Sequence, residues 1–474
     1  MPEYRTSPRF RLKMRSRASK ASVHSKGKNG LMLVSDNNDA LAARILVTRA
    51  ATTTLDLMYY IWRSDETGKL LASEVVRAAQ RGVKVRVLID DINPQSSDDA
   101  YIALDRHPNI QLRLFNPSRI RNGNVFRRLE FIYRLLSMTR RMHTKAWIAD
   151  RQIAISGGRN IGDEYFNAAD TNFRDMDLLL LGDVTAQICD VFETFWNCPS
   201  SKPVRLLQST SVDAESEATA TPAADTDFHV AASRYAKIDD LLATGNLHWI
   251  ERARVVADPP EKAQGRLSEE WLMTKLLPLL ESSKAKLEII SPYFIPGRRG
   301  TGVMERLISR GVGVSVLTNS LAATDVAAVH GAYARYRVSL LKKGVQLFEF
   351  RPSSGVNRIS VLGSKGSSLH TKSFTVDDRA GFVGSFNFDP RSRSLNAEMG
   401  IVFEDEPLVK ELRDHFARET EPDISYRVFL KERKLFWSGG STKEPSIFRR
   451  EPEAGLFRRL TALAVRFLPI ESQL

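Results

Sequence analysis

Cysteine is nearly absent from this sequence. The chain of 474 residues contains two cysteines, Cys189 and Cys198, and their spacing does not form a C-x-x-C pair. No group of cysteine and histidine residues has the spacing of a structural zinc site. With 42% hydrophobic and 26% charged residues, the composition predicts a globular protein of a reducing compartment, with no structural metal and no cofactor.

Long apolar runs are also missing. The sequence offers no stretch of about eighteen apolar residues to span a bilayer, and its first thirty residues lack the apolar centre of a secretory signal. We therefore expect a protein that neither crosses a membrane nor is exported by that route. Basic residues outnumber acidic ones and give a net charge of +13, which predicts a polyanionic partner, either nucleic acid or an anionic membrane surface.

The two ends of the chain carry the strongest membrane signals. Residues 1–28 hold nine Lys/Arg and the single acid Glu3, which fits a basic arm at a lipid surface, a solvated tail, or an organelle transit peptide. Near the other end, GLFRRLTALAVRFL predicts a short basic amphipathic helix, which suits either a membrane interface or docking on the protein's own core. Its expected apolar face consists of Leu456, Leu460, Leu463, Ala464 and Phe467.

One motif occurs twice. RMHTKAWIAD contains His143, Lys145 and Asp150, and LHTKSFTVDD contains the same residue types, each 227 positions later, at His370, Lys372 and Asp377. GGRN and GSFN then follow, and their asparagines, at 160 and 387, are again 227 apart. In a strand, the histidine and lysine of each motif would project from the same face. A single copy would be unremarkable, but this repetition excludes chance.

The flanking segments repeat as well. RGVKVRVLID matches RGVGVSVLTN, LDLMYYI matches LEIISPYFI, and IQLRLFNPS matches VQLFEFRPS. Each half therefore predicts an α/β unit whose helices cover a mostly parallel sheet and whose last element is the His-x-Lys hairpin. The expected organisation is a basic arm over 1–30, a first domain over 31–200, a linker over 201–245, a second domain over 246–430 and a C-terminal extension over 431–474.

The repeated residues suit cleavage of a phosphodiester. Without a metal, this reaction needs a nucleophile, an acid on the opposite side of phosphorus, and cations around the phosphoryl oxygens. Two imidazoles supply the nucleophile and the acid, and Lys145 and Lys372 supply the charge. A carboxylate should fix the tautomer of each imidazole. Aligning RDMDLLLL with AEMGIVFE assigns that role to Asp175 and Glu398. We expect Asp175 to pair with the histidine of its own half. Further hydrogen bonds to phosphoryl oxygens are expected from Asn160, Asn387 and Ser385.

The two blocks, HTKAWIAD with GGRN and HTKSFTVDD with GSFNFDPRSRSLNAE, resemble the paired HKD motifs of the phospholipase D superfamily. Together with YYIW, GGRNIGDEYF and TNSLAATDVAAVHGAYARYR, they are similar to the C-type branch of the bacterial cardiolipin synthases, and the resemblance covers nearly the whole chain. It implies two duplicated phospholipase D-like α/β/α sandwich domains with pseudo-twofold symmetry and one active site at their interface.

The resemblance also implies a reaction. A histidine would take a phosphatidyl group as a phosphohistidine, and a hydroxyl of phosphatidylglycerol would receive it. The implied donor is phosphatidylethanolamine, with phosphatidylglycerol as the second possibility. His143 would be the nucleophile and His370 the acid. Asp150 and Asp377 belong to the catalytic motifs, although their place after the strand suggests a supporting ion pair. One more segment contains Asp325, His330 and Tyr333. We expect it either to contact the lipid head group or to be an ordinary surface helix.

Two other classes of function remain open from the sequence. A hydrolase of the same superfamily, either a phospholipase or a metal-independent nuclease, would use the same residues, and a membrane-binding scaffold would have kept them without turnover. For the favoured phosphatidyltransferase we expect phospholipid substrates, an anionic membrane surface as partner, no nucleic acid, and a peripheral position on the cytoplasmic face of a bacterial inner membrane. The sequence does not predict the oligomeric state.

Overall fold

The computed structural model describes residues 27–92, 98–117, 140–207, 235, 238–244, 246–265, 271–352, 366–440 and 445–467. Most of the expected basic arm and much of the expected linker therefore lie outside the described residues. Within the described ranges, every helix is too short or too polar to cross a membrane.

The first half of the chain builds one large sheet. Its strands are β1 (Asn29–Val34), β2 (Thr54–Tyr59), β3 (Lys84–Asp90), β4 (Ile110–Phe115), β5 (Ala146–Ala149), β6 (Ile153–Gly157), β7 (Phe173–Arg174), β8 (Asp177–Leu181), β9 (Ser201–Pro203) and β10 (His248–Ile250). Nine of them pair in the order β10-β1-β8-β6-β5-β2-β3-β4-β9, and β7 stands apart.

The second half builds an equivalent sheet of ten strands. Its strands are β11 (Arg252–Ala257), β12 (Lys286–Ile290), β13 (Gly313–Asn319), β14 (Gln346–Phe350), β15 (Ser368–Leu369), β16 (Ser373–Val376), β17 (Ala380–Gly384), β18 (Met399–Glu404), β19 (Ser425–Lys431), β20 (Lys434–Gly440) and β21 (Pro445–Phe448). The order is β11-β18-β17-β16-β12-β13-β14-β19-β20-β21, and β15 pairs with β7 of the first half.

Helices cover the sheets. They are α1 (Asn37–Ala50), α2 (Glu66–Gln80), α3 (Asp98–Asp105), α4 (Asp183–Asn197), α5 (Ile238–Thr244), α6 (Leu272–Glu281), α7 (Gly297–Ser309), α8 (Ala327–Lys343), α9 (Pro390–Ser394), α10 (Glu406–Glu419) and α11 (Leu456–Phe467). Aspartates begin several of them: the side chains of Asp36, Asp65 and Asp405 accept backbone N–H groups in the first turns of α1, α2 and α10. Such caps satisfy donors that the helix itself leaves free.

The strand order is the same in the two sheets from β1 to β9 and from β11 to β19, which confirms the duplicated α/β fold. The expectation of mostly parallel sheets is wrong. Among the described strands of the two large sheets, only β2, β3 and β4, and likewise β12, β13 and β14, run parallel. The His-x-Lys strands β5 and β16 return through tight hairpins, and a tight hairpin joins only antiparallel strands.

The sheet boundaries differ from the expected domain boundaries. Strand β10 pairs with β1, so the first sheet takes a strand from beyond residue 246. The second sheet continues through β20 and β21, because each of these strands pairs with the one before it. The expected C-terminal extension therefore begins as part of the second sheet.

A shared hydrophobic core joins the two halves. It contains Val184 and Phe192 of α4 and Leu408 and Leu412 of α10, packed between residues of both sheets. Strands β5, β6, β16 and β17 are buried along their whole length. This continuous burial is the pattern of strands covered on both faces, and it holds the loops at the strand ends in fixed positions.

Candidate active site

Both His-x-Lys motifs lie immediately before a buried hairpin strand. His143 and Lys145 precede β5, and His370 and Lys372 precede β16. Within each motif the lysine ammonium turns back and donates to the carbonyl of its own histidine, at 2.8 Å for Lys145 and in an equivalent contact for Lys372. Each lysine is only 1% exposed. The local sequence thus presents one imidazole and one buried cation from each half.

Each motif is held by the opposite half of the molecule. The backbone N–H of His143 donates to the carbonyl of Ala397 at 2.8 Å, and that of His370 donates to the carbonyl of Arg174 at 2.7 Å. The residues that follow these two carbonyls are Glu398 and Asp175. The backbone therefore delivers the carboxylate of one half to the imidazole of the other.

The imidazole–carboxylate pairs are crosswise. Nδ1 of His143 lies 2.8 Å from Oε2 of Glu398, and Nδ1 of His370 lies 2.5 Å from Oδ2 of Asp175. Both carboxylates thus contact an imidazole, but the expected pairing within each half is wrong. With Nδ1–H donating to the carboxylate, Nε2 of each neutral ring carries the lone pair, on the side away from that carboxylate.

Glu398 is fixed by hydroxyl groups as well as by the imidazole. Ser385 Oγ donates to its Oε2 at 2.5 Å, and Ser392 Oγ donates to its Oε1 at 2.8 Å. Its backbone N–H donates to Asp258 at 2.9 Å. We expected Ser385 to contact phosphoryl oxygens, but its hydroxyl is engaged with the carboxylate that orients His143. Ser392 and Asp258 escaped the sequence reasoning because they have no counterparts in the repeated motifs.

The two halves are not equivalent at this point. The position that matches Ser385 is Gly158 in the first half. A Cβ at Gly158 would stand 2.2 Å from Oδ1 of Asp175, so a side chain does not fit beside the shorter carboxylate. Glu398 therefore accepts hydroxyl hydrogen bonds that Asp175 lacks, and the environments of the two imidazoles differ.

Burial controls the charge of the site. Desolvation lowers the pKa of His143 to about 4, against the opposing effect of Glu398, and it also lowers the pKa of His370. It lowers the pKa of Lys145 to about 7 and that of Lys372 to about 8. Lys372 contributes to the lowered pKa of His143, and Lys145 contributes to that of His370. These four groups thus interact in one site.

The carboxylates respond to the same cluster. Burial alone would raise the pKa of Glu398, but His143, Lys145 and the Ser385 hydroxyl hold it at about 2. Likewise, burial is outweighed at Asp175 by His370 and Lys372, which lower its pKa. Each carboxylate is therefore ionised and bonded to an imidazole. Each lysine ammonium uses one N–H for the carbonyl of its own histidine and has further N–H donors for an anion. This donor set suits a phosphate better than a metal cation.

The two motif asparagines have different surroundings. Asn160 donates to the hydroxyl of Tyr165 at 2.9 Å and accepts from the backbone of Ile61 at 3.3 Å. Oδ1 of Asn387 is buried and finds no partner among the described residues. Asn160 thus supports the wall of the site, whereas Asn387 keeps a free polar atom.

Aromatic rings surround both imidazoles, and the sequence reasoning did not single out their roles. Tyr60 meets His143 edge-on with ring centroids 4.8 Å apart, while Phe173 and Tyr165 lie 4.9 Å and 5.3 Å from the His370 ring. Tyr60 belongs to YYIW and Tyr165 to GGRNIGDEYF, two of the segments that contribute to the family resemblance. Their position beside the histidines depends on the fold and has no local signature.

The motif aspartates are remote from the imidazoles. Asp150 accepts from the backbone N–H groups of residues 52–54, and Asp377 accepts from those of residues 284–286. Both lie in hairpin turns, with φ of 51° and 53°, at the opposite end of the strand from the histidine. The prediction that these two aspartates belong to the reacting groups is therefore wrong. Instead, they hold the loops that precede β2 and β12. Burial opposes the shift, but the backbone donors lower the pKa of Asp377.

The segment proposed to contact a head group divides in two. Asp325 is exposed and accepts from the hydroxyl of Tyr293 at 2.8 Å. His330 and Tyr333 are only 3% and 2% exposed, so neither a head-group contact nor an ordinary surface helix describes them. His330 lies against the carbonyl of Asn319 and, at 3.4 Å, Glu451.

Comparison with known proteins places these features in context. The family described as "Cardiolipin synthase, PLD-like domain" matches twice, over residues 46–196 and 276–420. The chain is 36% identical over 458 residues to cardiolipin synthase C of Escherichia coli K12, covering 94% of this chain and 96% of that protein. It is 26% identical over 393 residues to a cardiolipin synthase of Staphylococcus aureus, covering 82% and 66%.

A solved structure has the same fold. The phosphatidylserine synthase of Haemophilus influenzae superposes with a TM-score of 0.61 over 96% of this chain and 98% of that one, at 14% sequence identity. At this identity the likeness concerns the fold alone.

Proposed function

Because this chain belongs to the family of cardiolipin synthases with phospholipase D-like domains and is a phosphatidyltransferase of that superfamily, we propose that it makes cardiolipin by transphosphatidylation. The donor is phosphatidylethanolamine, with phosphatidylglycerol as an alternative, and the acceptor is phosphatidylglycerol. One phosphodiester replaces another, so the reaction needs no nucleotide.

In the first step, Nε2 of His143 attacks the donor phosphorus. The bond from phosphorus to the ethanolamine oxygen breaks, and His370 gives that oxygen its Nε2 proton as ethanolamine leaves. His370 enters this step protonated on both ring nitrogens, a form that the negative charge of the bound phosphodiester favours against the effect of burial, which lowers its pKa. The product is a phosphatidyl group joined to His143. Burial lowers the pKa of His143 to about 4 and keeps its lone pair available at neutral pH. Because burial also lowers the pKa of His370, the choice of His143 as nucleophile depends on the two hydroxyl groups that hold its partner Glu398.

In the second step, a hydroxyl of phosphatidylglycerol attacks the same phosphorus. His370, now neutral, accepts the hydroxyl proton while the P–N bond to His143 breaks and cardiolipin leaves. Lys145 and Lys372 stabilise the negative charge on the phosphoryl oxygens in both steps, and their burial strengthens that interaction. The observation that carries the proposal is the crosswise pairing, which leaves two imidazole Nε2 atoms and two ammonium groups for one phosphate.

The test uses vesicles that contain both lipids. With phosphatidylglycerol and phosphatidylethanolamine, the purified protein should form cardiolipin and release ethanolamine in equal amounts, measured by mass spectrometry. His143→Ala and His370→Ala should each abolish turnover. His107→Ala, which changes a histidine whose ring accepts from the backbone of Asn109, is the matched control and should keep full activity.

Other products would identify the alternative enzymes. Phosphatidate without cardiolipin would mean a hydrolase, and metal-independent cleavage of DNA that is lost in His143→Ala would mean a nuclease. Denaturing mass spectrometry of the protein with phosphatidylethanolamine alone should reveal an added phosphatidyl group on the wild type and none on His143→Ala. An adduct that persists in His143→Ala would contradict the choice of nucleophile.

The proposal includes a place of action. We infer a peripheral position on the cytoplasmic face of a bacterial inner membrane, where phospholipid substrates are at hand. The net charge of +13 supports attraction to an anionic surface. Fractionation of cells should recover the protein with membranes, and high salt should release it.

A further inference from the structure

Helix α11 exposes an unusual amount of apolar surface. Its residues Leu456, Phe457, Leu460 and Leu463 are 73%, 81%, 55% and 51% exposed. Their spacing places them along one side of the helix. We call these four residues the apolar ridge. The other exposed large hydrophobic residues described do not form such a row, and contiguous exposed apolar surface marks an interaction site.

The opposite side of α11 is firmly packed. Ala462 and Val465 are buried, and the backbone of Ala462 approaches α8 so closely that a Cβ on Gly331 would lie 2.5 Å from its carbonyl oxygen. Arg335 of α8 donates to the carbonyls of Val465 and Arg466 at 2.8 Å and 2.7 Å. Leu456, Leu460, Leu463 and Ala464 of the expected apolar face therefore point outward, and the side chain of Phe467, its fifth member, lies outside the described part of the chain.

A positively charged cleft of about 670 Å³ adjoins the apolar ridge. Leu463 lines the cleft, so the two surfaces are continuous, and the cations around it are Lys434, Arg449, Arg450, Arg459 and Arg466. We call these five residues the basic rim. Arg337 also lines the cleft and pairs with Glu451 at 2.6 Å. The other acid in the lining is Glu432, so the cations of the cleft outnumber its acids.

The beginning of α11 is connected to the candidate active site. Arg458 donates to the carbonyls of Leu321, Ala322 and Thr324 at 2.7–3.0 Å. The next residue in that loop is Asp325, which accepts from Tyr293 and whose charge acts on Lys372. The loop thus contacts α11 through Arg458 and carries, at Asp325, a charge that acts on Lys372.

We propose that the apolar ridge and the basic rim form the docking surface for an anionic phospholipid bilayer, and that this surface holds the active site at the lipid interface. The side chains of the ridge are exposed, so they are free to insert among acyl chains, with the arginines and lysine at the level of the lipid phosphates. Membrane binding itself is independent of the proposed reaction, and only the turnover measurement below rests on it.

The first test measures binding. Full-length protein is sedimented with vesicles of phosphatidylcholine alone or of phosphatidylcholine mixed with phosphatidylglycerol. Leu456→Ser combined with Leu460→Ser should weaken binding to the mixed vesicles by at least about tenfold, because both side chains lose apolar contact. Leu206→Ser changes a leucine that is 71% exposed in the first half; as the matched control it should bind like the wild type.

The second test addresses charge. Arg449→Ala combined with Arg450→Ala should weaken binding to the mixed vesicles and reduce its salt dependence, with little change on phosphatidylcholine alone. Wild-type binding by the leucine variant would overturn the proposal. So would a wild-type dimer that the leucine variant converts to monomer without any change in vesicle binding, since the apolar ridge would then be a contact between two copies of this chain.

The third test separates docking from chemistry. The leucine variant should keep its turnover on water-soluble, short-chain phospholipids and lose it on vesicles. Loss on both substrates would contradict a docking role. A wild type that binds vesicles through the apolar ridge but forms no cardiolipin would refute the proposed function and leave the docking surface intact.

Discussion

Replacing Glu398 by glutamine tests the central contact of the site. The carboxylate accepts hydrogen bonds from His143, Ser385 and Ser392, at 2.8, 2.5 and 2.8 Å. Glutamine has nearly the same shape, but one of its two terminal atoms is an NH₂ group that donates. If this group faces His143, Nδ1 must become the acceptor, and the hydrogen moves to Nε2. The nucleophilic lone pair then points at the glutamine instead of the substrate.

The expected magnitude follows from the chemistry of the tautomer. The equivalent carboxylate-to-amide change in a Ser-His-Asp site lowers kcat about 10⁴-fold through the same effect. We therefore expect Glu398→Gln to lower kcat by roughly 10³–10⁴-fold with a small change in KM. At least one buried donor loses its charged acceptor, which costs about 1–3 kcal/mol of stability and should lower Tm by a few degrees.

The assay is cardiolipin formation in vesicles that contain both lipids, with thermal unfolding measured in parallel. Glu349→Gln provides the matched control, since Glu349 is also fully buried and bonded, to Arg337 and Trp437 at 2.8 Å each, but lies outside the site. The control should lose stability and keep kcat. A Glu398→Gln protein with kcat within about fivefold of the wild type would refute the crosswise tautomer control, because a wrong tautomer costs far more.

Two further predictions concern the buried lysine and the motif aspartates. The pKa of Lys145 is lowered to about 7 in the folded protein, so between pH 7 and 10.5 the unfolded chain holds the extra proton. Wild-type stability should therefore rise with pH relative to Lys145→Met, and a constant difference in urea unfolding would exclude the lowered pKa. Asp377→Asn should cost about 1 kcal/mol by weakening its contacts to backbone N–H groups, with kcat unchanged. A large loss of kcat at unaltered stability would show that Asp377 takes part in catalysis. Asp150→Asn is the equivalent variant in the first half and should behave in the same way.

The crosswise pairs explain why the two halves work as one unit. Each imidazole takes its orienting carboxylate from the other half, so neither half alone assembles a complete set. The glycine at position 158 and the serine at position 385 make the two environments unequal. This asymmetry gives a physical reason for the proposed division of labour, in which the more firmly supported His143 is the nucleophile.

Much of the fold was accessible from the sequence because the elements repeat. Strands β5 and β16 and the hairpins after them were recognised from paired motifs, and α11 was recognised from its amphipathic pattern. The parallel character of the sheets was overestimated, since a buried apolar strand has the same composition in either direction. The sheet boundary was also misplaced, because the short strand β10 pairs with a strand that precedes it by more than 200 residues.

By itself, the sequence determined the duplication, the two histidines and two lysines, and the family resemblance. These features depend on residue types and their spacing along the chain, which can be read without knowing which distant segments pack together. Only the tertiary structure decided the pairs His143–Glu398 and His370–Asp175, whose members are 255 and 195 residues apart. It also showed that Asp150 lies far from the imidazoles and that the leucines of α11 are exposed. These contacts depend on how distant segments of the chain pack together, which the local sequence pattern does not predict.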